Sequence, residues 1–354
     1  MRILIVRLGA IGDIIHTLPA LSAIKSALPG STIYWAVEKK SAEILRGNPL
    51  IEDLIEVDTR SLKGGRRIED IFLDLSRQIR SIRRHRYDLA LDMQGLIKSA
   101  VLAKASGAGR VAGYDRTGLR EPAARFLYSE RFAVGPQMHV IRKSMALAGA
   151  AIGVDLGELP IDFPISTSGS DRVEAASIIS NAGNRIALLN PAGGWVTKLW
   201  PAENFGRLAD RLRDELGLEP IVVAGPTERD LAEKVASATR NGVKIEYPGL
   251  KAFYELARRS QVYVGGDTGP THLAIAAGTP IVGIFGPTEW WRNGSLAPDD
   301  ICVERTDINC RIDCHRRTCS NWICMDIPVA TVFDAVVKRL AAAAGKSTDT
   351  EIRL

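Results

Sequence analysis

With 354 residues the chain is long enough for two domains, and an apolar fraction of 46% with a mean hydropathy of +0.01 is typical of a soluble globular protein. No apolar run approaches the roughly 20 residues of a membrane span, and Arg7 interrupts the first apolar run too early for a signal peptide. These features exclude an integral membrane protein and favour a cytoplasmic one. The net charge of +5 is uneven, because residues 1–165 carry 24 Lys and Arg against 18 Asp and Glu, and the remainder carries 22 against 23. The basic excess would attract an anionic partner to the first half, or it is only a solvated surface.

Short apolar strands alternate with amphipathic helices along both halves of the chain. In the first half we predict strands at 3–6, 32–37, 54–57 and 89–92, and helices at 14–28, 44–54 (with a loop), 68–86 and from 94. In the second half we predict strands at 185–190, 220–224, 243–247, 262–264 and 281–285, and helices at 202–216, 228–240, 252–260, from 269 and at 329–344. Such alternation predicts doubly wound parallel sheets.

Two stretches interrupt this alternation. Residues 107–118 are glycine-rich and predict a loop, and residues 156–169 lapse into Pro, Gly, Ser and Thr, which is typical of a linker. We therefore predict two Rossmann-like domains, 1–165 and 166–354. In open sheets of this kind, ligands bind at the carboxyl ends of the strands.

The stretch 262–288 reads as strand, glycine-rich turn, small-residue helix and second strand. Thr268 or Asp267 can cap the helix, and Gly269 lies at its start, so free backbone N–H groups would face a ligand above the strand. A helix N-terminus of this kind binds phosphate. Asp267 and His272 would lie beside that phosphate, although an ordinary βαβ turn packed through its glycines gives the same pattern.

Gly9-Ala-Ile-Gly12-Asp13 follows the first strand directly. A dinucleotide fingerprint would need G-x-G-x-x-G, which these two glycines do not supply. Asp13 is either a helix cap or a general base that faces a ligand.

Two further segments follow strands of the second half. Gly193 and Gly194 can form a backbone nest for an anion, to which Lys198 adds a charge. Glu228 can accept hydrogen bonds from ribose hydroxyls, or it only favours its helix N-terminus. Because these residues and the stretch 262–288 meet at one sheet edge, we predict a nucleotide site there.

The segment Arg-Leu-Gly-Ala-Ile-Gly-Asp-Ile-Ile-His-Thr-Leu-Pro-Ala (7–20) and the later Asp-Thr-Gly-Pro-Thr-His, Gly-Thr-Pro and Phe-Gly-Pro-Thr blocks resemble the bacterial lipopolysaccharide heptosyltransferases of glycosyltransferase family 9. Residues 87–100 and 119–125 are similar to the heptosyltransferase I branch. The resemblance covers most of the chain. It implies a GT-B fold, in which two Rossmann-like domains face each other across a cleft, and a last helix that packs back on the first domain. It also implies inverting transfer of L-glycero-D-manno-heptose from ADP-heptose to the Kdo of lipid A, in inner-core biosynthesis.

The resemblance also implies a role for individual residues. Asp13 would be the catalytic base. The donor would be bound by Gly193, Gly194, Lys198, Glu228, Asp267, Thr268, Gly269 and His272. At Gly193 and Gly194, where a member of the family has hydroxyl residues, only backbone contacts are expected. The acceptor would be bound by Arg60, Lys98 and Arg120, which fits the basic first half.

The expected partners are therefore ADP-heptose and Kdo-lipid A, with peripheral contact at the cytoplasmic face of the inner membrane and no nucleic acid. We expect no tightly bound cofactor or metal, and at most stimulation by a divalent cation, because no metal-binding D-x-D loop is evident. The alternatives are another family-9 transferase, such as a heptosyltransferase II or one for a different core sugar, and a nucleotide-sugar-binding protein without turnover. Asp13 separates these classes, since a protein that only binds needs no base.

Four of the five cysteines, at 310, 314, 319 and 324, occupy one short segment. Their spacing lacks the closer C-x2-C pairs of many zinc sites, and a cytoplasmic setting disfavours disulfides. We expect reduced thiols in a compact loop, with zinc as the alternative. His16 and His139 are either acceptor contacts or ordinary histidines.

Overall fold

The computed structural model describes residues 1–58, 76–135, 137–183, 185–312 and 314–351, with the backbone alone for 345–351. The chain divides into two compact units, Met1–Ser166 and Thr167–Leu354. Because residues 59–75 are not among the described residues, only part of the predicted helix 68–86 can be compared, and of that part residues 76–82 are helical. Within the described residues, no helix is both long enough and apolar enough to cross a membrane.

The first unit is built on a parallel sheet of six strands in the order β3-β2-β1-β4-β5-β6. Its strands are β1 (Arg2–Val6), β2 (Thr32–Glu38), β3 (Asp53–Val57), β4 (Leu89–Asp92), β5 (Arg110–Tyr114) and β6 (Glu130–Phe132). Its helices are α1 (Ile11–Ile15), α2 (Leu18–Ala27), α3 (76–82), α4 (Ile97–Ala105) and α5 (Val140–Ile152). Strand β1 pairs with β2 on one side and β4 on the other, so the strand order reverses beside it. Such a reversal opens a crevice at the carboxyl ends of the two strands.

Three predictions for the first unit were wrong. The single helix predicted over 14–28 is two helices, α1 and α2, because Pro19 has no N–H to continue the hydrogen bonding of the first. The predicted loop 107–118 contains strand β5, where the ring of Tyr128 fills the space of a Cβ at Gly113. The short helix predicted over 44–54 is a 3-10 helix over Lys39–Leu45.

The second unit repeats the architecture with the order β12-β11-β10-β7-β8-β9. Its strands are β7 (Ile186–Asn190), β8 (Glu219–Val223), β9 (Lys244–Glu246), β10 (Val262–Gly265), β11 (Ile281–Ile284) and β12 (Ile301–Val303). Its helices are α6 (Gly169–Ala182), α7 (Ala202–Leu216), α8 (Arg229–Ser237), α9 (Leu250–Ala257), α10 (Gly269–Ala276), α11 (Trp290–Asn293) and α12 (Val329–Glu351). Helix α6 was not predicted, and Ser168 caps it by accepting from the backbone N–H of Asp171.

The last helix, α12, belongs to the core of the second unit. Val332, Phe333 and Val336 are buried in that core, and the helix contacts α7, β11 and β12. Its buried apolar face is thus used within the second unit. Contact of this helix with the first domain, which the resemblance implies, stays a prediction.

Candidate active site

The site in the second unit is built at the carboxyl ends of adjacent parallel strands. Asn190, the last residue of β7, is paired in register with Gly265, the last residue of β10. The Asn190 side chain is buried, and its amide donates to the carbonyl of Val223 at the end of β8 over 2.8 Å. Three neighbouring strands are thus held at a common edge, and the loops that follow them are brought together.

Lys198, Asp267 and His272 form a buried group at this edge. The Lys198 ammonium lies 2.6 Å from Oδ2 of Asp267 and also donates to its backbone carbonyl over 3.1 Å. Nε2 of His272 lies 3.1 Å from the other carboxylate oxygen, Oδ1. The side chains are 10%, 7% and 7% exposed, respectively, so the charges interact largely out of water.

Asp267 is ionised in this setting. Burial by itself would raise the pKa of Asp267, but the hydrogen bond and charge of His272, followed by the charge of Lys198, hold that pKa well below its ordinary value. The negative charge in turn fixes the ammonium in place. An ammonium has three N–H donors, and two are directed to Asp267, which leaves the third for an anionic ligand.

The loop that carries Lys198 is fixed by two tryptophans. The Lys198 ammonium lies 4.1 Å from the ring centroid of Trp195, and the guanidinium of Arg317 lies 5.3 Å from the same centroid. Trp200, 2% exposed, donates from Nε1 to the carbonyl of Ile327 over 2.9 Å. Neither Trp195 nor Arg317 was identified from the sequence as a site residue, although Trp195 lies only three residues before Lys198.

Helix α10 presents its N-terminus at the same edge. Thr268 caps the helix, accepting from the N–H of Thr271 over 3.4 Å, and Pro270 has no N–H. The N–H of Gly269 has no acceptor inside the helix, because it belongs to the first turn. This positive helix end lies next in sequence to Asp267 and favours a bound anion.

The remaining predicted donor residues follow β7 and β8. At Gly193 a Cβ would come within 2.8 Å of the Leu199 side chain and 3.2 Å of the carbonyl oxygen of Trp195, so the loop is tightly packed there, whereas Gly194 faces open space. Glu228 accepts from the N–H of Gly225 over 2.7 Å. The carboxylate is therefore tied to its own turn through Oε2, which fixes its orientation.

In the first unit, Asp13 lies in the short helix α1 after β1. Its Oδ1 is 2.9 Å from Nη2 of Arg7, and Oδ2 accepts from the backbone N–H of Ala10 over 3.2 Å. Asp13 is 49% exposed, whereas Arg7 is 12% exposed. The carboxylate is thus oriented by a buried cation while one side faces solvent. Arg7 was not identified from the sequence as a site residue. Its position was a usable signal, because a charged residue directly after a buried apolar strand lies at the sheet edge where ligands bind.

A buried network around Asp92 holds the loops beside Arg7. Asp92 is fully buried and accepts from Tyr128 over 2.7 Å and from Ser99 over 2.9 Å. Burial raises the pKa of Asp92, although the hydrogen bond from Tyr128 and further hydrogen bonds oppose this effect. Two residues on, Oε1 of Gln94 accepts from the N–H of Leu8 over 2.8 Å, which ties the carboxyl ends of β1 and β4 together.

The predicted acceptor residues differ in their surroundings. Lys98 is 43% exposed, and its ammonium lies 2.9 Å from the carboxylate of buried Glu38 at the end of β2. Arg120 is exposed, and Arg60 lies outside the described residues. The buried His139 caps helix α5 through Nδ1.

The four clustered cysteines line a single cavity in the second unit. All are free thiols, and Cys324 is buried. Burial raises the pKa of Cys324, and the neighbouring thiols of Cys314, Cys310 and Cys319 act in the same direction. Within the described part of the chain, no three His, Cys, Asp or Glu side chains are already placed as a metal site.

Comparison with known proteins places this architecture in a family. The model of glycosyltransferase family 9 (heptosyltransferase) matches residues 75–323, which is more than half of the chain. The chain belongs to glycosyltransferase family 9. This family-9 chain is 30% identical over 330 residues to lipopolysaccharide heptosyltransferase 1 of Pseudomonas aeruginosa, covering 90% of the chain and 88% of the relative. It is 27% identical to lipopolysaccharide heptosyltransferase 1 of Escherichia coli K12, covering 82% and 89%.

Solved structures agree with this membership. The family-9 chain superposes on E. coli heptosyltransferase WaaC with ADP-2-deoxy-2-fluoro heptose with a TM-score of 0.73 and 26% identity, covering 86% of this chain and 93% of that one. E. coli ADP-heptose lps heptosyltransferase II matches in fold with a TM-score of 0.76 and 17% identity, covering 97% and 100%. The predicted fold class, a GT-B fold of two Rossmann-like doubly wound domains, is confirmed.

Proposed function

We propose that this family-9 chain is an inverting glycosyltransferase that moves L-glycero-D-manno-heptose from ADP-heptose to the Kdo of lipid A. The relatives named heptosyltransferase 1 and the similar structure with an ADP-heptose analogue support this donor and this step of lipopolysaccharide inner-core synthesis. The observation that carries the proposal is the Lys198 ammonium, buried against Asp267 beside the N-terminus of α10. A nucleoside diphosphate leaving group gains negative charge as it departs, and a fixed positive charge of this kind stabilises it.

On this proposal, the second unit binds the donor and stabilises the departing ADP. The third N–H of Lys198 and the N–H of Gly269 bind phosphate oxygens, and the backbone at Gly193 and Gly194 lines the same site. Asp267, held by Lys198 and His272, accepts a hydrogen bond from the heptose. Glu228 accepts one from the ribose. Charge builds on the diphosphate as the glycosidic bond breaks, so these contacts strengthen in the transition state.

Asp13 acts as the general base in the first unit. The acceptor hydroxyl oxygen attacks the anomeric carbon, its proton passes to the Asp13 carboxylate, and the bonding electrons leave with ADP. The sugar carbon carries oxocarbenium character during this exchange, as in glycoside hydrolysis. Arg7 holds Asp13 at 2.9 Å and keeps its orientation fixed. A protein that only bound nucleotide sugars would need no such carboxylate.

Basic side chains of the first unit bind the acidic acceptor. Exposed Arg120, half-exposed Lys98 and Arg60 supply the charge, in the half of the chain that carries the basic excess. Because lipid A is membrane-bound, the enzyme works in peripheral contact with the cytoplasmic face of the inner membrane. Nucleic acid is no partner. The transfer itself needs no tightly bound metal, because Lys198 and the helix end carry the positive charge.

The experiment that tests the proposal uses purified protein, ADP-heptose and Kdo-lipid A, with product masses measured. We expect ADP release together with the mass increase of one heptose on the acceptor. A sample without enzyme controls for spontaneous transfer, and an acceptor that already carries the first heptose tests a heptosyltransferase II. Transfer to that second acceptor alone would reassign the step. Donor binding without any product would support the alternative, a nucleotide-sugar-binding protein without turnover.

A further inference from the structure

Four of the five cysteines surround one cavity of about 220 Å³, which is also lined by Thr197. These are Cys310, Cys314, Cys319 and Cys324. The fifth, Cys302 in β12, is not among the lining residues. The spacing in the sequence favoured reduced thiols over a zinc site. The cavity that the four cysteines share favours a zinc site instead.

The segment that carries the four thiols has little regular secondary structure. Between β12 and α12 the described residues contain only a short 3-10 helix, Asn309–Arg311. Residues 315–322 are all exposed, so apolar burial contributes little there. Connections of this length without secondary structure are uncommon in compact domains, and small units with little core are commonly held by a metal or by disulfides.

We propose that the four thiols bind one Zn²⁺ ion as a structural site. The intervals of three, four and four residues between successive cysteines all lie within the C-x2–4-C range of zinc ligands. Four thiols and one Zn²⁺ give a tetrahedral tetrathiolate centre with a charge of −2 and release four protons. Arg316 also lines the cavity and offsets part of that charge.

Binding draws the segment inward. Since no finished set of three ligands is present among the described residues, the sulfur atoms must approach one another as the ion enters. The exposed position of Cys310 and Cys319 permits this movement without disturbing the core. Ion binding and ordering of the segment are therefore one coupled event.

The site also affects the loop that carries Lys198, residues 195–199, which is called the lysine loop below; this consequence rests on the proposed function. Thr197, next to Lys198, donates from Oγ1 to the carbonyl of Arg316 over 2.6 Å. The cysteine segment also donates to this loop, because Nε1 of Trp322 donates to the carbonyl of Thr197 over 3.0 Å. A zinc ion would fix the cysteine segment, and the two hydrogen bonds to Thr197 would then restrict the position of the neighbouring Lys198.

The test uses the full chain, reduced and stripped with a chelator, then titrated with Zn²⁺ against a chromophoric chelator and separately with Co²⁺. We expect one ion per chain and a cobalt spectrum with tetrahedral bands and thiolate-to-metal charge transfer. Cys310→Ser and Cys319→Ser should weaken Zn²⁺ binding by more than the roughly 10–100-fold that loss of an outer-shell partner costs. The matched variant Cys302→Ser should bind as the wild type does.

Failure to retain Zn²⁺, a cobalt spectrum without thiolate bands, or equal losses in Cys302→Ser would overturn the site. Hydrogen exchange tests the coupling, since Zn²⁺ should slow exchange of the amides at 195–199. Unchanged exchange with zinc bound would refute the link to the lysine loop. Neither readout requires heptose transfer, so failure of the zinc site and failure of the proposed function are distinguishable.

Discussion

Replacing Lys198 with Met removes one charge from a buried pair and little else. The substitution keeps the apolar stem beside Trp195 but removes the ammonium that lies 2.6 Å from Asp267. The two side chains are 10% and 7% exposed, so water cannot replace the lost partner. Asp267 is left as a buried carboxylate with His272 as its remaining side-chain partner.

The substitution should change both the free energy of unfolding and the Kd for ADP. Removing one partner of a buried ion pair costs about 3–5 kcal/mol of unfolding free energy, and we expect about 3 kcal/mol because His272 still binds Oδ1 at 3.1 Å. A charge-assisted hydrogen bond to phosphate contributes about 1.5–3 kcal/mol, so the Kd for ADP should rise roughly 10- to 150-fold.

Denaturant unfolding and titration calorimetry with ADP measure the two quantities. Lys234→Met is the matched control, since Lys234 is an exposed lysine of α8 in the same unit, and it should change stability by less than about 0.5 kcal/mol. Unchanged ADP affinity in folded Lys198→Met protein would place the diphosphate elsewhere. A stability loss no larger than that of the control would refute the buried-pair reasoning.

Three further outcomes are expected. Asp13→Asn should lower kcat by about 10²–10⁴-fold with donor affinity nearly intact, and wild-type turnover would exclude Asp13 as the base. Arg120→Gln and Lys98→Gln should raise the acceptor KM and spare that of the donor, with a difference from wild type that shrinks in high salt, whereas a defect in donor use alone would contradict the assignment. Asp267 has a depressed folded pKa, so its stabilisation is present above the unfolded pKa of about 3.9 and is lost as pH falls towards the folded pKa. Unfolding free energy should therefore fall more steeply in acid for the wild type than for Asp267→Asn, and equal slopes would contradict the pairing.

The central strands and the motifs after them could be predicted because each is a local pattern. The apolar run in β1 and the Asp267-to-His272 block carry their meaning in consecutive residues. Strands β5, β6 and β12 were missed because their patterns are weak. Strand β5 contains a glycine, and β6 and β12 have only three residues each.

Pairings between distant residues could not be read from the sequence. Lys198 and Asp267 are 69 residues apart, and only the adjacent ends of parallel strands bring them together. Arg7 and Asp13 are close in sequence, but their ion pair depends on how the turn after β1 folds. Sequence reasoning therefore found Asp13, Lys198 and Asp267 but missed Arg7 and missed which cation holds which carboxylate.

The strand order of the first unit sets a minimum time for its folding during synthesis. Ile3 of β1 pairs in register with Leu89 of β4, so 86 positions separate two neighbours at the centre of the sheet. At about 5–20 residues per second, a ribosome needs roughly 4–17 s to supply the second of them. During that interval the apolar β1 has one unpaired edge, which makes the nascent chain a substrate for chaperones and prone to aggregation. A truncated polypeptide that stops before Leu89 retains this open edge permanently and is expected to be insoluble.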